Sequence, residues 1–313
     1  MSAKKKAFGF SLIELSTSIA IIAMIAGSAI SIALTSDYPS KLGETNAKLD
    51  RIEEALTGFL TLNHRLPCPA DGTLATSDSN FGSEGMRSST SCPLANFSDG
   101  GNVTAGVVPV RTLQLPDDFM FDGWGHRITY AIDYRFANNT TTNPACNGNS
   151  GDLCFIGIDS GGLTVTDASG GNRTTSAIYI LLSHGENGHG AFNKVGSATR
   201  IRAHYPSPPY PYTNVSAEVQ NSHFDVSGNT TPYNNIFIQK DYIKSKGGEY
   251  FDNILRFKDK TQLVLTTGTY FYNSNCTDAS NIINNPSNNA CTGAATESDC
   301  DNYATEVYNL CLQ

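Results

Sequence analysis

The sequence lacks the short patterns that carry nucleotide or acyl-transfer chemistry: it holds no P-loop, no G-x-G-x-x-G turn and no G-x-S-x-G elbow. Neither a phosphate cradle nor an activated nucleophile is visible in it. Basic residues are few, 21 against 29 acidic ones, and three of the 21 form the run Lys4-Lys5-Lys6. The 18 that remain leave an acidic body, which repels phosphate backbones and disfavours a broad nucleic-acid interface. No cysteine belongs to a C-x-x-C pair, which argues against a zinc ribbon or knuckle. No repeat of roughly 20 to 50 residues marks a solenoid.

What is present begins with cysteine. Cys68, Cys92, Cys146, Cys154, Cys276, Cys291, Cys300 and Cys311 all lie beyond an apolar N-terminal segment. An even number of spaced cysteines reads as disulfides formed in an oxidising compartment. Eight cysteines allow about 105 pairings. Neighbour pairing (Cys68 with Cys92, Cys146 with Cys154, Cys276 with Cys291, Cys300 with Cys311) is the simplest of them.

The apolar segment runs from Phe10 to Leu34 and carries a single acid, Glu14. As a helix it measures about 37 Å, long enough to cross a bilayer's hydrocarbon core, with the lysine run held on the cytoplasmic side. A secretory signal peptide cut near Ala29 or Ala33 is the plainer alternative. Its apolar stretch is normally shorter, and a carboxylate near its start is costly. A simple anchor that tolerates Glu14 near the interface is a third reading.

The string KKKAFGFSLIELSTSIAIIAMIAG resembles the leader and first helix of type IV pilins and type II secretion pseudopilins. The resemblance implies cleavage by a prepilin peptidase between Gly9 and Phe10, N-methylation of Phe10, and an assembly role for Glu14. It also implies other pilin or pseudopilin subunits, the peptidase, membrane lipid, and an assembly platform driven by a separate ATPase as partners. The expected location is a bacterial inner membrane, single-pass with the C-terminal domain periplasmic, and later a periplasmic or surface filament. Many major pilins carry a proline inside the apolar half, and this chain has none there. The spacing has a physical logic of its own. Cleavage creates an ammonium at Phe10, Glu14 lies one helical turn away, and charges in low dielectric are costly unless paired. Glu14 can neutralise its own amine or that of a neighbouring subunit.

After Leu34, Pro39 predicts a break or kink. From Lys41 to Asn63, Leu42, Leu49, Ile52, Leu56, Phe59 and Leu60 form one apolar stripe of an amphipathic helix. Strand-like runs follow at 107–110, 127–134, 155–158, 177–182, 235–239 and 262–267. The expected fold class is α+β: a long N-terminal helix, transmembrane in its first half, packed on an antiparallel sheet domain with large loops and disulfides. The expected organisation is a leader 1–9, an assembly helix 10–35, its amphipathic continuation 36–63, a β-rich domain 64–271 and a cysteine-rich region 272–313. The stretch 205–212, rich in Pro and Tyr, is expected to be extended. The segments FDGWGHRITYAID, IYILLSHGENGHGAF and FDNILRFKDKTQL resemble features of pseudopilins and large minor pilins.

No catalytic residue is expected, and the chain reads as a structural subunit rather than an enzyme. His184, Glu186 and His189 could hold a metal, but their glycine-rich loop lacks the helical framework of H-E-x-x-H. Asp78, Asn80 and Glu84 offer alternating oxygens as a calcium loop would, at a spacing that departs from the EF-hand. No cofactor is expected, with calcium the one cation the pattern admits. The acidic cluster Glu297, Asp299 and Asp301 reads as a solvated loop. The alternative from another class is a periplasmic enzyme or ligand-binding protein held by a pilin-like anchor.

Overall fold

A computed structural model describes residues 12–35, 37–85, 92, 97–98, 101–138, 160–203, 216–224, 233–243, 250–260 and 262–263; side chains are described for these except Glu14, 25–35 and Asp37. The chain opens with helix α1 (Leu12–Thr35) and helix α2 (Asp37–Asn63). They are two elements because of Pro39: its ring opposes the carbonyl four residues back, which belongs to Thr35, the last residue of α1. In the first turn of α2 the missing N–H costs nothing.

The sheet comprises β1 (Phe97–Ser98), β2 (Val103–Val107), β3 (Thr129–Asp133), β4 (Leu163–Thr166), β5 (Asn172–Ser183), β6 (Ile236–Ile238) and β7 (Ile254–Asp259). Its order is β1-β2-β3-β5-β4-β6, with β7 pairing to β5. The long β5 is the hub. Residues 179–182 pair with β3 and with β7, so these two strands flank it on opposite edges. A short helix, α3 (Ala217–Ser222), packs near β6.

The stripe predicted on α2 is the centre of the main core. Leu49, Ile52, Leu56 and Leu60 are fully buried among Val107, Tyr130, Ile132, Ile178, Tyr179 and Leu181. Burial of side chains of this size contributes about 1.5–3 kcal/mol each. Strand alternation divides the sheet between two clusters. Tyr130 and Ile132 join the α2 side, whereas Ala131, Ile180 and Leu182 join Leu163, Val165, Phe237 and Leu255 on the other. A register shift between Ala177 and Tyr179 lets the consecutive residues Ile178 and Tyr179 both join the α2 side.

Two expectations are corrected. The sheet is mixed rather than antiparallel, because β4 pairs with β6 in parallel. Among the described residues no helix is long and apolar enough to cross a membrane. The expected transmembrane first half, and with it the single-pass placement in an inner membrane, is overturned by that finding. At finer scale, the strand expected at 107–110 ends at Val107, because Pro109 brings no N–H to a ladder. Residues 262–263 are helical, and β4 and β7 lay outside the expected runs. The runs 155–158 and 205–212 and the region 272–313 lie outside the described residues.

Candidate functional site

The most unusual surface among the described residues is that of α1. Leu12 is 86% exposed and Met24 80%, and Ile13, Leu15, Ile19, Ile21 and Ile22 are each more than half exposed. At 100° per residue these seven positions fall on every side of the helix. A helix apolar all round is ordinarily enclosed by other protein or by lipid. The hydroxyls between them are turned inward: Ser16 Oγ and Thr17 Oγ1 donate to the Ile13 carbonyl at 2.9 and 3.0 Å. Their donors are spent within the helix, so the surface stays apolar.

Helix α2, which follows α1 in the chain, is tied to the sheet domain. Lys48, on α2, is buried and places Nζ at 2.8 Å from Glu44, 2.8 Å from Asp118 and 3.0 Å from the Phe121 carbonyl. Desolvation pulls the Lys48 pKa down, but the two carboxylates outweigh it and raise it, so the ammonium persists. Thr45 Oγ1 accepts from Gly123 N at 2.9 Å. A Cβ on Gly123 would collide with the Lys41 carbonyl, so only glycine admits α2 this close to the turn. Asp122 organises that turn: its Oδ1 accepts from the amides of Trp124 and His126 at 3.0 and 2.9 Å, and its Oδ2 accepts from Ser183 Oγ at 2.7 Å. At the first turn of α2 an aromatic cluster is partly open to solvent. Tyr38 meets Trp124 at 5.5 Å and Tyr242 at 4.6 Å between ring centroids.

The three segments singled out by resemblance are brought together here. FDGWGHRITYAID supplies β3 and its turn, IYILLSHGENGHGAF the end of β5 and its loop, and FDNILRFKDKTQL contains β7. They form three adjacent strands whose connecting loops meet at one end of the sheet, where His126 Nδ1 donates to the Gly185 carbonyl at 2.9 Å and Asn187 N donates to Asp252 Oδ2 at 2.9 Å.

Of the processing and assembly residues, Gly9 and Phe10 lie outside the described residues, and Glu14 falls within α1 with its side chain outside them. Cys68 and Cys92 form a disulfide, with Cα atoms 5.7 Å apart. Cys146, Cys154, Cys276, Cys291, Cys300 and Cys311 lie outside the described residues, as do Glu297, Asp299 and Asp301. The metal candidates are engaged in other bonds. His184 is fully buried, with Nδ1 donating to the His189 carbonyl and Nε2 accepting from Thr129 Oγ1, both at 2.9 Å. Burial and the nearby Arg200 charge hold its pKa well below the ordinary histidine value. His189 donates from Nε2 to the Phe224 carbonyl at 2.9 Å, and its Nδ1 accepts from Ala203 N at 3.4 Å. Glu84 spends both oxygens on Arg65, at 2.9 and 2.7 Å, and on Cys68 N at 3.0 Å. Asp78 Oδ1 accepts from Asn80 N at 2.8 Å. Among the described residues no group of three His, Cys, Asp or Glu side chains could hold a metal ion.

An open groove of 320 Å³ along α2 is lined by Asp50, Glu53, Glu54, Thr57 and Lys258, with no serine, cysteine or histidine among them. Sequence reasoning missed the two buried carboxyl residues Glu218 and Asp252, which are far apart in sequence and follow no motif. No family model, no curated protein and no solved structure matches the chain.

Proposed function

We propose that the chain is a structural, non-catalytic subunit of a filament of the type IV pilin or pseudopilin kind, assembled through α1. The observation that carries this reading is α1 itself, apolar on all sides and exposed on a folded, acidic domain. Such a surface calls for a cover, and helices of the same kind from neighbouring subunits supply one of matching chemistry and length. Lys48, Thr45 and Gly123 tie α2 to the sheet domain, and the chain that continues from α1 into α2 carries that domain on the assembly.

The sequence at the start of α1 adds the register. Cleavage between Gly9 and Phe10 leaves an ammonium that the Glu14 carboxylate of an adjacent subunit neutralises. The mechanism is therefore packing plus one charge pair, with no chemistry carried out by the subunit. The test is co-expression of a tagged and an untagged copy with a prepilin peptidase, followed by recovery of the untagged copy on the tag. Glu14→Val is expected to be cleaved normally yet recovered poorly. Ile19→Asp, which places a charge on the apolar surface, is expected to abolish recovery without altering the domain's melting temperature. Normal recovery of both variants would overturn the proposal.

A further inference from the structure

The aromatic cluster at the first turn of α2 is built by three separate elements. Tyr38 stands in α2 itself, with its ring centroid 5.5 Å from that of Trp124 and 4.6 Å from that of Tyr242. Trp124 lies at the centre of the turn 122–125, which is closed by the Gly125 N–H donating to the Asp122 carbonyl at 2.9 Å and braced by the Trp124 N–H donating to Asp122 Oδ1 at 3.0 Å. Tyr242 adjoins the bridge in which Ile243 and Phe251 exchange backbone hydrogen bonds of 2.8 and 3.0 Å. Turn centres ordinarily hold small or polar residues, which set the backbone path. Here the chain's single tryptophan stands at one, half-buried, in a cluster whose Tyr242 is 40% exposed. Neither bond of the turn requires an indole, so its ring area is left for a contact beyond the turn.

The chain itself joins this cluster to α1. Tyr38 follows Thr35, the last residue of α1, by three residues, so their Cα atoms stand no more than about 11 Å apart. Helices that pack side by side place their axes about 8–10 Å apart. A second helix lying along the Thr35 end of α1 therefore comes within reach of the Tyr38 ring and of the rings that touch it. The chemistry of another α1 fits that place. From Leu15 to Thr35 its sequence has no charged residue, and its exposed Ile19, Ile21, Ile22 and Met24 offer the aliphatic and thioether groups that pack well on aromatic faces. Burial first, then Tyr242, Asp252 and Glu186, raise the Tyr38 hydroxyl above its ordinary value, so the phenol stays neutral. On an acidic body those carboxylates repel an anionic ligand, whereas an uncharged helix meets no such repulsion.

We infer that Tyr38, Trp124 and Tyr242 form the seat on which α1 of a second copy of this chain rests, so that one subunit's domain holds its neighbour's helix. The seat rests on the assembly through α1 proposed above and adds to it a contact between helix and domain. Helix-on-helix packing alone defines the rotation of neighbouring subunits weakly, because α1 is apolar on every side. An aromatic seat on one side of the domain selects one face of the incoming helix. Its three rings are positioned in advance by a helix, a turn and a bridge, so little freedom is lost on contact, and Trp and Tyr are the residue types that carry most of the binding energy in interfaces.

The experiment uses the full chain, co-expressed with a prepilin peptidase and purified as the wild-type assembly and as Ile19→Asp, which is expected to remain single. Trp124 is the only tryptophan, so tryptophan emission reports this site alone. In the assembly that emission is expected to move to shorter wavelength, and its quenching by acrylamide to fall severalfold relative to Ile19→Asp. Tyr242→Ala, at an exposed position, is expected to lower recovery of the untagged copy on the tag severalfold with the melting temperature unchanged. If that variant folds poorly, the fluorescence of the wild type decides alone. Undiminished recovery of folded Tyr242→Ala overturns the inference. Wild-type copies that recover one another while Trp124 stays as open as in Ile19→Asp also overturn it, and leave assembly through α1 standing. So does a Trp124 already shielded in Ile19→Asp, because the chain's own residues then cover the cluster, and so does the same shift on adding phosphatidylcholine vesicles to Ile19→Asp, which assigns the rings to a lipid surface. Failure of wild-type copies to recover one another removes assembly through α1 itself, and the seat with it.

Discussion

At the scale of single residues, the polar groups that stand out in the sequence are mostly holding the chain together. Glu84 joins Arg65 and the Cys68 amide beside the Cys68–Cys92 disulfide, so one carboxylate fixes the crossing from α2 into the domain. Glu84→Ala strands the Arg65 guanidinium and the Cys68 N–H together. It is expected to cost roughly 1.5–3 kcal/mol in urea unfolding. Replacing Cys68 and Cys92 together by serine opens a loop of 24 residues' separation, and the chain-entropy model gives a loss of about 3.5 kcal/mol. The residues whose side-chain chemistry was legible in advance were Cys68 and Cys92 and the apolar positions of α2. His184, His189 and Glu84 read as metal-ligand types, and nothing in their spacing reveals that a hydroxyl, backbone groups and an arginine already occupy them. The pairing of Glu218 with Asp252 was invisible for the same reason: a long-range contact leaves no local signature.

At the scale of elements, the 3.6-residue stripe of α2 was the clearest signal and led directly to the core. Leu56→Ala is expected to cost about 2–5 kcal/mol, measured by chemical denaturation, because it opens a cavity between α2 and the sheet. Gly123→Ala tests the docking of the same helix from the other side. The added methyl meets the Lys41 carbonyl, so the turn and the first part of α2 must separate. Loss of the Thr45 to Gly123 hydrogen bond, read as faster amide exchange at Gly123, is the expected result. The sheet was less legible. β3 and β5 were anticipated because their apolar runs are long, whereas β4, with only four residues, and β7, which mixes Arg256, Lys258 and Asp259 with Leu255 and Phe257, gave weak patterns. Parallel pairing of β6 with β4 depends on a crossover between distant segments, which periodicity does not encode.

At the scale of the whole molecule, an acidic mixed-sheet domain carries an apolar helix that its own described residues leave exposed. The contrast between α1 and α2 organises the account. One helix alternates and is buried along a single stripe; the other is apolar on all sides and offers its surface outward. The sequence suggested a bilayer as the cover for the latter, whereas among the described residues no helix is long and apolar enough to cross one. The assembly with like helices that we propose would cover the same surface. The proposed assembly requires processing between Gly9 and Phe10, ahead of α1, so the most direct measurement is mass spectrometry of the mature N-terminus after co-expression with a prepilin peptidase. A first residue of N-methylated Phe10, dependent on the peptidase, is the result the account predicts; an unprocessed chain, or a cut near Ala29 or Ala33, would contradict it.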